Sequence, residues 1–154
     1  RVSGAELNRG AVEEVFARLN LTPEIETHGS LVCLKAAGLA IWVGDIFELT
    51  AEMLGPVDAI YDRAALVAMQ PDVKASYGHH LIEISNTAQQ LVAAYDYDQT
   101  TMDGPPFAVP EADVRRIYGA AYQIERLSRD EISGPLADRC SGFEELWLMT
   151  PNAG

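Results

Sequence analysis

Short apolar runs alternate with segments of helical periodicity along most of this 154-residue chain. A first helix is predicted over residues 10–19 after the capping residue Asn8, because apolar side chains recur there at three- and four-residue spacing. Two more helices are predicted over residues 71–84 and 110–118, each with a proline at its start. Strands are predicted over residues 31–35, 39–43, 59–61, 91–95, 122–127 and 146–149.

This alternation predicts an α/β fold built from βαβ units around a largely parallel sheet. In such sheets the loops after the strand carboxyl ends are available for ligands. The polar segment 128–141 has no helix-length apolar pattern, so the last two strands are predicted to form an antiparallel hairpin. No repeat or linker divides the chain, and a single domain over residues 1–154 is expected.

The charge and the cysteine pattern exclude several classes of partner. Eleven basic against 23 acidic residues give a net charge of −12, which repels phosphate backbones and argues against nucleic acid. No apolar run is long enough for a membrane span, and no signal peptide opens the chain. Cys33 and Cys140 have no metal-ligand spacing, and the adjacent His79 and His80 would point about 100° apart on a helix. We therefore expect a cytoplasmic protein without a metal site.

Two acidic positions could bind a nucleoside. Glu6 ends an apolar stretch directly before a helix, where its carboxylate could accept from both ribose hydroxyls or could simply compensate the helix dipole. Asp45 follows a strand that ends in Gly44, and its carboxylate could reach an adenine amino group while Phe47 packs against the ring. The alternative at this second position is an Asp turn with Ile46 and Phe47 in the core.

Two further motifs could bind a second ligand. Arg63 follows Asp62 at a predicted strand end, and its guanidinium could bind a carboxylate or an electron-rich heterocycle, or could form a structural pair with Asp62. Tyr97 and Asp98 end another strand before a proline-rich loop at residues 104–110. That loop could wall a pocket or act only as a rigid connector.

Five motifs resemble thiopurine S-methyltransferases in residue type, order and spacing. They are Gly-Ala-Glu-Leu at 4–7, Trp-x-Gly-Asp-Ile-Phe at 42–47, Tyr-Asp-Arg-Ala-Ala-Leu-Val-Ala at 61–68, Tyr-Asp at 97–98 and Gly-Pro-Pro-Phe-x-Val-Pro at 104–110. The resemblance covers nearly the whole chain, and the third and fifth motifs are much more specific than a general nucleotide fingerprint. It implies a Rossmann-like class I methyltransferase sheet, mostly parallel with an antiparallel C-terminal hairpin.

The same resemblance implies S-adenosylmethionine as cofactor and a small-molecule thiol as acceptor. The acceptor would be a thiopurine, another heteroaryl thiol, or a selenium or tellurium compound, and the protein would be a monomer. By this resemblance Arg63 and Asp98 would be catalytic. The cofactor would be bound by Glu6, Asp45, Ile46, Phe47 and Arg63, and the acceptor by Tyr97, Pro106 and Phe107.

The chain departs from the family pattern at its start. The glycine-rich loop that follows the first strand of the family, and the lid helix before it, are expected to precede Arg1. Without that strand the sheet would form two half-sheets with unpaired inner edges. Two other functions remain open at this point. One is a nicotinamide-dependent oxidoreductase, although no tyrosine is followed four residues later by lysine. The other is an inactive methyltransferase-like remnant or interaction module.

Overall fold

A computed structural model describes residues 1–153 of the chain. The chain divides into two compact units, with the boundary between Gly55 and Pro56. Each unit contains one four-stranded sheet. The single methyltransferase domain expected from the sequence remains a prediction beside this division. None of the helices within residues 1–153 has the length and apolar character needed to cross a membrane.

The first unit is a mixed sheet with a helix packed on it. Its elements are β1 (Val2–Glu6), α1 (Arg9–Arg18), β2 (Glu24–His28), β3 (Leu31–Ala36), β4 (Leu39–Val43) and α2 (Ala51–Leu54), with a 3-10 turn at Ile46–Glu48. The strand order is β1-β4-β3-β2. β1 runs parallel to β4, and the other two pairings are antiparallel. The parallel pair places the carboxyl ends of β1 and β4 side by side.

Helix α1 forms where the apolar spacing predicts it. The Asn8 side chain accepts a hydrogen bond from the Ala11 N–H at 3.3 Å and so caps the helix start. Val12 and Phe16 are each 1% exposed and pack against Val43 of the sheet. This packing orients the helix whose start follows Glu6.

The second unit contains a parallel strand pair and a long antiparallel hairpin. Its elements are β5 (Ala59–Arg63), α3 (Lys74–Ile84), β6 (Gln89–Tyr97), α4 (Glu111–Tyr118), β7 (Tyr122–Glu131) and β8 (Gly142–Pro151). The strand order is β5-β6-β8-β7, with β5 parallel to β6 and β8 antiparallel to both of its neighbours. The predicted antiparallel C-terminal hairpin is confirmed.

Several predicted boundaries are wrong for identifiable reasons. Helix α3 begins at Lys74 and not at Pro71, because residues 71–73 form a turn in which the Val73 N–H bonds to the Gln70 carbonyl at 2.9 Å. Strands β7 and β8 run further than predicted, since the polar residues 128–131 continue the ladder. Strand β2 was not predicted, because Glu24 and Glu26 interrupt the apolar pattern of this exposed edge strand.

The alternation of strands and helices is confirmed, and the two sheets are mixed in direction. Only two of the pairings among the described strands are parallel, β1 with β4 and β5 with β6. β1 and β5 each stand at one edge of their own sheet. Both predicted ligand regions follow these parallel pairs.

Candidate active site

Glu6 and Asp45 lie at neighbouring strand ends of the first unit. Glu6 pairs with Val43 across the parallel ladder, and the Gly44 N–H donates to the Glu6 carbonyl at 3.1 Å. Asp45 therefore follows the end of β4 directly beside the end of β1. The crevice outside the carboxyl ends of parallel strands is the usual place for ligands in α/β sheets.

The Glu6 carboxylate is exposed and partly engaged by its own backbone. Its Oε1 accepts from the Asn8 N–H at 2.8 Å. Oε2 accepts no hydrogen bond from the part of the chain that the structure describes. A carboxylate with remaining acceptor capacity suits the hydroxyl pair of a ribose. The same Oε1 contact also satisfies an amide at the start of α1, so both functions predicted from the sequence are compatible with this geometry.

Asp45 shapes a tight turn at the end of β4. Its Oδ1 accepts from the Phe47 N–H at 3.0 Å. Gly44 has a φ of +137°, and a Cβ there would lie 2.6 Å from Cδ2 of Leu31. Only glycine fits this turn, which exposes the Asp45 carboxylate and leaves the Phe47 ring 38% exposed.

Asp62 and Arg63 do not form the structural pair considered from the sequence. Consecutive strand residues point to opposite faces of a sheet. Asp62 is 3% exposed and accepts from the Leu66 N–H at 3.1 Å. The Arg63 guanidinium is largely exposed and lies 3.9 Å from Oε1 of Glu144. Arg63 is therefore available on the solvent side of the β5 end.

Tyr95 lies close to Arg63. Burial raises the pKa of the Tyr95 hydroxyl, and so does the neighbouring Glu144 carboxylate, whereas the charge of Arg63 lowers it. The raised pKa keeps Tyr95 a neutral phenol at physiological pH. Arg63, Tyr95 and Glu144 thus form one group on the second unit.

Tyr97 and Asp98 make local hydrogen bonds. The buried Tyr97 hydroxyl donates to the Pro106 carbonyl at 2.6 Å. Asp98 Oδ1 accepts from the hydroxyl and the N–H of Thr100 at 2.7 and 2.9 Å, and these bonds lower the pKa of Asp98. Tyr97 therefore holds the 104–110 loop, and Asp98 fixes the turn that follows β6. Their predicted substrate and catalytic roles remain predictions.

Two side chains that the sequence did not indicate also hold the loop. Gln99 accepts from the Ala108 N–H at 2.7 Å, and its amide donates to the Met102 carbonyl at 2.7 Å. Lys74, which is 3% exposed, donates from Nζ to the Ala108 carbonyl at 2.5 Å. Isolated Gln and Lys residues carry no sequence signal for such contacts: Gln99 bonds within an irregular loop, and the partner of Lys74 lies 34 residues away.

Phe107 anchors the loop from within. It is 9% exposed, and its N–H donates to the Val67 carbonyl at 2.6 Å. Its ring covers Gly104, whose φ is +80° and where an added Cβ would lie 2.6 Å from Cδ1 of the ring. Phe107 thus fixes the position of the neighbouring Pro105 and Pro106.

A cavity of about 570 Å³ opens beside this loop in the second unit. Its apolar walls come from the turn after β5, from the prolines of the loop and from the 133–139 segment. They include Ala64, Val67, Tyr95, Pro105, Pro106 and Leu136. Among residues 1–153, Arg139 is the only charged residue that lines it. Of the predicted acceptor residues, Pro106 lines this cavity, whereas Tyr97 and Phe107 support the loop behind it. Arg139 was not predicted from the sequence, because it lies in a segment without periodicity.

The solved structures that this chain matches define its class. It matches the 1,6-didemethyltoxoflavin-N1-methyltransferase of Burkholderia thailandensis, solved with 1,6-didemethyltoxoflavin and S-adenosylhomocysteine, with a TM-score of 0.59 at 12% identity. That match covers 99% of this chain and 62% of the other. The small RNA methyltransferase HEN1 matches with a TM-score of 0.61 at 10% identity, over 99% of this chain and 20% of that one. At these identities the likeness shows the fold alone, and that fold is the methyltransferase fold.

Sequence relatives then define the family. The family model for thiopurine S-methyltransferase matches residues 1–149. The thiopurine S-methyltransferase of Xanthobacter autotrophicus is 47% identical over 149 residues, which are 97% of this chain and 70% of the relative. That of Teredinibacter turnerae is 42% identical over 98% of this chain and 71% of its own length. The chain belongs to the thiopurine S-methyltransferase family, whose members are S-adenosylmethionine-dependent enzymes. The oxidoreductase alternative is therefore wrong.

Proposed function

We propose that this protein transfers the methyl group of S-adenosylmethionine to the sulfur of a small heteroaryl thiol such as a thiopurine. The observation that carries this proposal is the cavity beside the 104–110 loop. Its volume of about 570 Å³ suits a small molecule. Its apolar walls suit a flat heterocycle, and its single cation, Arg139, suits an anionic thiolate.

The cofactor would be held through the strand ends of the first unit. The acceptor oxygens of Glu6 fit the ribose hydroxyls, and the exposed Asp45 carboxylate fits an adenine amino group. Ile46 and Phe47 would frame the adenine ring from the turn that follows. This donor and acceptor set is of the right chemical kind for an adenosine, which supports the cofactor roles predicted from the sequence.

When bound, the cofactor supplies a methyl group on a sulfonium. The protein must then hold the acceptor sulfur about 3 Å from that methyl group and in line with the breaking bond. A heteroaryl thiol is acidic enough to ionise near neutral pH, so no strong general base is required. We assign Arg63 and Arg139 to stabilising the thiolate, and Asp98 to fixing the turn at the base of the loop.

The acceptor assignment predicts a specific loss on removal of Arg139. In the protein encoded by the complete reading frame, Arg139→Ala should raise the KM for a thiopurine by about tenfold, because one charge-assisted contact to the thiolate is lost. The measurement is methyl transfer with the thiopurine, with its oxygen analogue and with a selenium compound in parallel. The thiopurine should be methylated faster than its oxygen analogue. The measurement with the selenium compound shows whether selenium acceptors share the site.

The matched control is Arg116→Ala. Arg116 is also an exposed arginine of the second unit, but it pairs with Asp113 at 3.0 Å and does not line the cavity. Its removal should leave the acceptor KM unchanged. An equal effect of both substitutions, or methylation of the oxygen analogue as fast as the thiol, would contradict the proposed acceptor site.

A further inference from the structure

Asp62 is a buried carboxylate for which the proposed reaction has no direct use. It lies at the end of β5 and is 3% exposed, whereas its neighbours Tyr61 and Arg63 are exposed. Its Oδ1 accepts from the Leu66 N–H at 3.1 Å. Its Oδ2 makes no hydrogen bond of ordinary geometry within residues 1–153, although the Tyr77 hydroxyl lies close enough to influence it. Burying a carboxylate is unfavourable unless it is hydrogen-bonded or paired, so the contacts of Asp62 matter to the structure around it.

The hydrogen bond from the Leu66 N–H to Asp62 closes the turn after β5. The turn passes through Ala64, whose φ of +70° is sterically unfavourable for a residue with a Cβ. Residues Leu66–Ala68 then form one turn of 3-10 helix. Leu66 is completely buried. The Asp62 contact thus stabilises an otherwise strained path of the backbone.

Two of the three walls of the cavity depend on this turn. Ala64, Val67 and Ala68 form one wall directly. The Val67 carbonyl accepts from the Phe107 N–H at 2.6 Å and so fixes the loop that carries Pro105 and Pro106, which line the cavity from the other side. Asp62 is therefore connected to the cavity through two hydrogen bonds, Leu66 N–H to Asp62 and Phe107 N–H to Val67, and through backbone atoms between them.

We propose that Asp62 is a positioning residue for the acceptor: through the Leu66 and Val67 backbone it sets the distance between these two walls of the cavity, the turn after β5 and the 104–110 loop. This inference rests on the proposed function, because it assigns the acceptor to that cavity. In the proposed site, Asp62 contacts neither the acceptor nor the cofactor. Its effect is on the shape of the acceptor site and not on the strand ends assigned to the adenosine.

The test compares Asp62→Ala with Asp62→Asn in the protein encoded by the complete reading frame. Asp62→Ala removes the acceptor of the Leu66 N–H and should raise the thiopurine KM by about tenfold, with the affinity for S-adenosylhomocysteine changed by less than about twofold. Asp62→Asn keeps an oxygen at Oδ1 and should restore the wild-type KM. Hydrogen exchange of the Leu66 and Phe107 amides should accelerate at least about tenfold in the alanine variant only.

Ser85→Ala is the matched control for a general loss of stability. Ser85 is 4% exposed, and its hydroxyl also accepts a backbone N–H in a turn, that of Ala88 at 3.3 Å, but it does not contact the cavity. It should lower the melting temperature without changing the thiopurine KM or the exchange of the Phe107 amide. A parallel rise of KM in Ser85→Ala and Asp62→Ala would overturn the proposal.

Two further outcomes have a defined meaning. If Asp62→Ala does not fold, hydrogen exchange in the wild-type protein tests the proposal instead. The Leu66 and Phe107 amides should then exchange with the same protection, because they open together. Faster exchange of the Phe107 amide alone would refute the coupling. If the wild-type protein methylates no thiol, the proposed function fails, whereas the exchange experiment still tests whether Asp62 positions the two walls.

Discussion

Arg63 and Asp62 are consecutive residues of β5, and their side chains point to opposite faces of the sheet. The Arg63 side chain is exposed to solvent, whereas the Asp62 side chain is buried. The guanidinium of Arg63 lies near Tyr95, which lines the cavity, and 3.9 Å from Glu144. Arg63→Ala should lower kcat/KM for a thiopurine by about tenfold to a hundredfold, and Arg63→Lys should recover only part of it, because an ammonium lacks the planar fork. Steady-state kinetics with both variants check this. Full recovery in the lysine variant would show that charge alone matters there.

The buried Asp62 carboxyl should make part of the stability depend on pH. Burial raises its pKa above the ordinary 3.8, against the lowering effects of the Leu66 N–H, the Tyr77 hydroxyl and the Ala65 N–H. The folded protein then binds the proton more tightly than the unfolded chain. This carboxyl therefore contributes a loss of stability as pH rises from about 3.8 through its folded pKa.

Asp62→Asn removes that titration and should report it directly. The melting temperature of the variant relative to wild type should increase between pH 4 and pH 7, both measured in the same buffers. Tyr77 on α3 and Tyr118 on α4 are the titratable groups nearest to it, and both have pKa values raised by burial, so neither titrates in this range. A difference that is independent of pH would contradict the raised pKa of Asp62.

At the level of single residues, the sequence predicted where a polar side chain lies in the fold better than which residues it contacts. The positions of Glu6 and Asp45 were predictable because strand ends before a helix or a turn are local features, and their cofactor roles stay predictions. The Asp62–Arg63 pair was left open, although the alternation of strand side chains already separates the two residues. Arg139, Gln99 and Lys74 were not predictable, since their roles depend on partners that only the folded chain brings close.

The element that most directly shapes the cavity is the 104–110 loop. Gly104 and Gly38 have nearly the same φ, +80° and +82°. A Cβ at Gly104 would collide with the Phe107 ring, whereas one at Gly38 would have no neighbour within 4 Å. Gly104→Ala should therefore reduce the free energy of unfolding by roughly 1–3 kcal/mol more than Gly38→Ala. Urea denaturation measures both, and equal losses would show that the ring does not need Gly104.

Elements were predictable from the sequence where their periodicity is strong. The first and third predicted helices agree with α1 and α4 to within one residue, because capping residues mark their starts. The polar half of β7 and the edge strand β2 were missed, since their stability comes from the neighbouring strand and not from their own apolar residues. The 133–139 wall of the cavity was missed because this segment has no helix or strand periodicity.

For the molecule as a whole, the fold and family predict which ligand stabilises it. S-Adenosylhomocysteine at about a hundred times its Kd should raise the free energy of unfolding by about 2.7 kcal/mol, whereas NAD should not. Thermal melts of the protein encoded by the complete reading frame, with each ligand in turn, measure this. Glu6→Gln should weaken the effect of S-adenosylhomocysteine, because an amide is a poorer acceptor for two hydroxyls. Stabilisation by NAD alone would contradict the cofactor assignment.

In the proposed reaction the sulfur atom of the acceptor receives the methyl group. This is tested most directly by incubating the protein with S-adenosylmethionine carrying a ¹³C-methyl group and a thiopurine, followed by NMR of the product. The expected result is a ¹³C-methyl signal bonded to the thiopurine sulfur, formed in proportion to enzyme. A labelled methyl group on a ring nitrogen, or no enzyme-dependent product, would contradict it.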